Sequence, residues 1–280
     1  MIVRLTGAFL RALLIALAIA TPSLLLPDVG SDTAQVVMLV ALAAGAFTFA
    51  EYYSQFPSIL EFRFAPPVNR LRYFTMFAMV LLLTVHFSGN ALETPIASLL
   101  MKLASLMAHA IDFPFSPVRL VILALPSDTT AETVSMVRDA AGIAYVLACA
   151  GLVAFGVLVR IYGWPVRYTA FNVWINLPLF DPTGGGDVLT RLKRDSIINV
   201  VLGFLLPFLL PAFAKLAGAV LDLSAIGNPH TLIWVMTLWA FIPANLIMRG
   251  VALSRVADII EEKRRRTYAE ASSEDGLQVV

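Results

Sequence analysis

The chain has 280 residues, 59% of them hydrophobic and 14% charged. A soluble domain carries about a quarter charged residues, so the composition excludes an ordinary water-soluble fold. A net charge of +1 gives nucleic acid no support as a partner, and the single Cys149 cannot form an internal disulfide.

Six apolar stretches follow one another near residues 7–27, 34–50, 73–89, 139–160, 196–220 and 231–252. Each has about the 17–25 residues that a helix needs to cross a ~30 Å hydrocarbon layer. The expected fold is an all-α polytopic membrane protein with six transmembrane helices plus one external amphipathic helix. Residues 1–252 form the membrane domain in this reading, and 253–280 a cytoplasmic basic helix ending in a disordered tail.

The first stretch has a second reading. Arg4 and Arg11, the apolar run and Ala18-Ile19-Ala20 look like a signal peptide with a small-residue cleavage site. The run continues through Leu24, Leu25 and Leu26 to Pro27, however, and is long enough to span, so a retained helix is expected.

Basic residues set the threading. Sixteen of the twenty Lys and Arg fall in one set of loops, and only Lys102, Arg119, Arg138 and Lys215 fall in the other. Such a bias marks the cytoplasmic side. A bacterial inner membrane with both termini in the cytoplasm is the expected setting.

The first internal loop, Glu51–Arg72, carries six aromatics with the adjoining Tyr73 and is broken by Pro57, Pro66 and Pro67. Its rings suit the headgroup zone, so an elbow lying on the inner membrane surface is expected. The external segment 91–126 follows. Ile96, Leu99, Leu100, Leu103, Leu106, Met107, Ala110 and Ile111 recur at helical spacing opposite a polar stripe, which predicts a helix lying flat or covering the bundle. Pro117–Pro126 encloses a short apolar run that dips into the membrane or packs on the bundle.

The second internal loop, Arg160–Asp195, repeats the aromatic and basic character of the first. An ungapped offset of 121 residues superposes Pro57 on Pro178, Arg70 on Arg191 and Arg72 on Lys193. Duplications are common in transport proteins, but chance explains so few identities equally well. Phe56, Arg63, Arg70, Arg72, Trp164, Trp174, Arg191, Lys193 and Arg194 are the expected docking residues of the two loops. The cluster Lys263, Arg264, Arg265 and Arg266 adds a site for anionic lipid headgroups or a cytoplasmic partner.

Chemistry inside the membrane is sparse. Pro207 and Pro211 interrupt the fifth span near Asn199 and Gly203, and Pro243 and Asn245 sit near the centre of the sixth. Interrupted helices at one depth build substrate sites in transporters, which makes these five polar and proline positions a possible permeation path. Kinks serving packing alone are the simpler reading, because no ionisable group lies at mid-depth in either helix. His86, His109 and His230 are weak metal candidates, with haem b between His86 and His230 as a remote alternative to no cofactor at all. Gly184-Gly185-Gly186 lacks the spacing of a phosphate loop and reads as a turn. Glu51 and Glu61 beside Arg63 and Arg70 could mark an interfacial active site. Mutual pairing that pins the elbow is the simpler account.

The favoured functional reading is a non-catalytic accessory, assembly or scaffold component of a membrane complex. It would dock other membrane or cytoplasmic proteins through loops 51–72 and 160–195. A channel or permease between helices five and six is one alternative, and a membrane enzyme or haem b carrier is another.

Overall fold

The computed structural model describes residues 2–277, apart from 28, 89–94, 162, 166–171, 182–184 and 218–226. The described chain is all-helical. Six helices are long and apolar enough to cross a membrane. They are α1 (Ile2–Leu25), α2 (Ser31–Tyr53), α3 (Val68–Phe87), α6 (Ala131–Ile161), α8 (Val188–Ala217) and α9 (Pro229–Leu277). Between them lie α4 (Pro95–Ala110), α5 (Pro117–Ala124) and the single turn α7 (Val173–Asn176).

Lipid offers apolar helices no hydrophobic reason to pair, so small residues and hydrogen bonds decide which ones touch. Gly45 of α2 lies so close to Ala12 of α1 that an added Cβ would stand 3.3 Å from the Ala12 carbonyl oxygen. A close seam joins α8 to α9. A Cβ on Gly203 would stand 2.6 Å from the Pro243 oxygen, and one on Gly250 would stand 2.7 Å from the Ser196 oxygen. Ser196 Oγ spans the same seam, donating to the Gly250 carbonyl at 2.7 Å.

At one end of the bundle α4 covers α6, where Gly142 admits Ala108 into direct contact. The short helix α5 begins at Ser116, whose hydroxyl accepts the Arg119 N–H at 3.0 Å, with Pro117 in the first helical position. Its far end is capped by Lys215 of α8, which donates to the Leu125 carbonyl at 2.9 Å. The run between Pro117 and Pro126 therefore packs on the bundle. Asp112 gathers Arg119 and Arg138, each at 2.8 Å, and so ties α5 and α6 to the end of α4. The core at this end is built from Met79, Leu83, Val118, Ala140, Ile233 and their neighbours on α3, α5, α6 and α9.

The start of α1 and the middle of α9 meet the two loops at the opposite end of the bundle. Arg4 of α1 donates to the Ser54 carbonyl, and Arg255 of α9 donates to the Trp164 carbonyl at 3.2 Å. The helical backbone of α9 continues to Leu277, which corrects the disordered tail expected from residue 269. Glu261 with Arg265 and Glu262 with Arg266 supply pairs at helical i, i+4 spacing that support this extension.

Candidate functional site

The two loops separated by a hundred residues of chain fold against each other and against α9. Phe62, Ala65, Trp164, Leu177, Phe180, Leu192, Met248, Leu253 and Val256 form one buried cluster. Trp164 stands edge-on to Phe62 at 5.7 Å between ring centroids and donates its indole N–H to the Ala65 carbonyl at 3.2 Å. Asn176 latches the loops together. Its carbonyl accepts the Phe62 N–H at 2.7 Å, and its side-chain oxygen accepts the Phe64 N–H at 2.9 Å. Phe62 adopts a φ of +56°, a conformation bulky residues rarely take. The two bonds from Asn176 and the packing against Trp164 hold it there.

The carboxylates of the first loop are engaged, though not by the neighbours expected. Glu51 accepts the backbone N–H groups of Ser58, Ile59 and Leu60, with the Ser58 hydroxyl alongside. Glu61 takes both prongs of Arg249 from α9, at 2.6 and 2.7 Å. Arg63 instead donates to the carbonyls of Glu51, Tyr52 and Ser54, at 2.6, 2.8 and 2.9 Å. The elbow is pinned as expected, but by backbone groups and a distant helix rather than by internal Glu–Arg pairs.

Only part of the expected docking set lies at the surface. Phe56 is 73% exposed, and Arg70, Lys193 and Arg194 are exposed as well. Trp164 is 3% exposed and belongs to the core of the platform, which corrects its place among docking residues. Arg72 points its guanidinium over the Phe62 ring at 5.4 Å, and its Nε and Nη2 are buried without a hydrogen-bond partner among the described residues. Arg191 stacks on Phe180 at 4.9 Å. The Trp174 side chain and Gly184 lie outside the described residues.

The basic cluster on α9 is exposed. Arg264 meets Asp187 at 2.8 Å, Arg265 and Arg266 meet Glu261 and Glu262 on their own helix, and Lys193 of α8 meets Glu261 at 2.7 Å. The Arg264 bond holds the Asp187 carboxyl below the usual aspartate range. Solvent-exposed pairs of this kind are weak because water screens them, so a stronger anion can take their place.

The proline break in α8 is bridged from α9. Pro211 lacks the N–H that would reach the Pro207 carbonyl, and Trp239 of α9 donates its indole N–H there at 3.2 Å. Asn199 donates within its own helix, to the Asp195 carbonyl at 2.7 Å. α8 and α9 meet backbone to backbone at Gly203 beside Pro243, and again at Gly250. Asn245 keeps a buried Oδ1 without a partner among the described residues.

His86 and His109 both approach Asp139, at 3.5 and 4.0 Å, and His230 stands apart from them. His109 Nδ1 also lies 2.8 Å from the Ser105 carbonyl, and His230 Nε2 lies 3.0 Å from Ser23 Oγ. Among the described residues no group of three or more His, Cys, Asp or Glu converges as metal ligands.

The residues that sequence reasoning missed are Arg249, Asn176 and Arg255. The last two are a lone amide at the end of α7 and a lone arginine within α9. Arg249 interrupts the apolar end of the sixth span, which was the one available signal. No family model, curated protein or solved structure matches the chain. An integral membrane protein of helical type is what these observations support.

Proposed function

We propose that this chain is a non-catalytic accessory or scaffold component of a membrane complex, seated in a bacterial inner membrane with both ends in the cytoplasm. It docks partners on a surface made by Phe56, Arg70, Lys193, Arg194 and Lys263–Arg266. The observation that carries this reading is the platform: two loops and the end of α9 share one buried core, which leaves the exposed set standing on a rigid base. A catalytic role finds little support, because Glu51 and Glu61 are both engaged in holding that base together.

Crosslinking in native membranes, followed by purification in mild detergent, tests the idea. A specific protein should be captured with the wild type and lost with Lys263→Glu and Arg264→Glu together. A chain that yields no crosslinked protein and purifies as a clean monomer defeats it. Reporter fusions at Gly186 and after Val280 should both report the cytoplasm, as the positive-inside bias demands.

A further inference from the structure

A groove of about 450 Å3 opens between the start of α1 and the first elbow. Arg4, Arg11 and Arg63 line it with Tyr52, Gln55 and Phe64, and no acidic side chain does. Arg4 and Arg11 are two helical turns apart, so they stand one above the other on the same face of α1. Arg63 enters from the elbow. Among the described residues none of the three makes an ion pair.

Carbonyls and aromatic rings hold these cations instead. Arg4 donates to the Ser54 carbonyl, and Arg11 donates to the Gly7 carbonyl at 2.6 Å. The Arg11 guanidinium lies 4.7 Å from the Tyr52 ring centroid, and that of Arg63 lies 4.7 Å from the Phe64 ring. Arg63 uses both terminal nitrogens on backbone carbonyls and acts as a fixed charge. Arg4 and Arg11 each give up one nitrogen and keep most of their N–H donors.

Three like charges gathered in one groove repel each other. Burial, and then the Arg4 cation, push the Arg63 guanidinium below its ordinary value. Glu51 offsets part of this repulsion at Arg63, but its carboxylate does not line the groove, so the groove itself leaves room for a counter-charge from outside. The planar guanidinium fork matches paired phosphate oxygens. Val3 of α1 lines the groove and is 85% exposed, an apolar surface suited to an acyl chain.

We propose that this groove binds a phosphate ester, with Arg4 and Arg11 donating to its oxygens and Arg63 supplying fixed positive charge, and that the ester is the headgroup of an anionic phospholipid. The site is separate from the docking surface, so the failure of either leaves the other standing.

Native mass spectrometry of the full chain tests it, using micelles doped with phosphatidylglycerol and, for comparison, phosphatidylcholine. Wild type should retain one phosphatidylglycerol in preference to phosphatidylcholine. Arg11→Gln should weaken retention about fivefold, and Arg4→Gln with Arg11→Gln on the order of thirtyfold, at ~1 kcal/mol per charge. Among the described residues Arg11 hydrogen-bonds within its own helix and otherwise rests on the Tyr52 ring, so the single variant keeps the fold. Lys263→Ala with Arg264→Ala should retain lipid as the wild type does. Inorganic phosphate that raises the melting temperature in an Arg11-dependent way, with no lipid retained, would keep the chemistry and assign the ester to a soluble source. Equal retention of both lipids, or no effect of either substitution and none of phosphate, overturns the proposal.

Discussion

Trp239 donates its indole N–H to the carbonyl of Pro207, the group that Pro211 leaves without a donor in its own helix. One aromatic on α9 thereby repairs the break that proline makes in α8. Trp239→Phe keeps the ring and removes the donor, stranding a buried carbonyl. The expected cost is about 1–3 kcal/mol, read as a lower melting temperature in detergent. An unchanged melting curve would mean that the carbonyl has another donor.

Close approach of α8 and α9 depends on two glycines. Gly203→Ala places a Cβ 2.6 Å from the Pro243 oxygen and from Ile247. The helices must separate, at about 1–3 kcal/mol. Gly156 of α6 has open space around it. Gly156→Ala should therefore stabilise by roughly 0.5–1 kcal/mol, since alanine favours the helix. Opposite signs in thermal unfolding are the expected result.

Among the described residues Glu61, whose side chain is 7% exposed, forms its ion pair with Arg249. Arg249→Ala leaves that carboxylate buried and unpaired, at about 3–5 kcal/mol. Adding Glu61→Gln should recover much of the loss by removing the charge. Limited proteolysis of the 54–67 loop gives the readout, with the single variant cut fastest.

The contact between the start of α8 and the extension of α9 should respond to acid. Arg264 lowers the Asp187 carboxyl from its ordinary value of 3.8. A depressed carboxylate contributes fully above its unfolded value and loses that contribution as pH falls through the folded one. The Asp187–Arg264 link should thus be constant from neutral pH down to the ordinary aspartate range and loosen only below it. Spin labels at Thr190 and Thr267 would show the separation, and Asp187→Asn should loosen it at every pH.

The spanning helices were legible because twenty apolar residues in succession admit few other readings. Their limits were less so. The helix α6 starts at Ala131, ahead of the apolar run expected from 139, because Arg138 and Asp139 are helical residues already paired with Asp112 and His86. Hydropathy counts such residues as loop. The elbows announced themselves by prolines and aromatics, but their mutual packing did not. Glu61 and Arg249 are 188 positions apart, and no local pattern fixes which distant cation a carboxylate will meet. Trp164 showed the same ambiguity, since an interfacial tryptophan and a core tryptophan look alike in a sequence.

Ile260 is the last residue of α9 that packs on the platform, and from there to Leu277 the helix reaches roughly 25 Å at 1.5 Å per residue. That makes it a lever. Its fulcrum is the contact of Val256 and Ala257 with the elbows, and its short arm is the Gly250–Ser196 seam inside the bundle. A sideways pull at the tip is therefore delivered, as torque, to a junction where two membrane helices touch backbone to backbone.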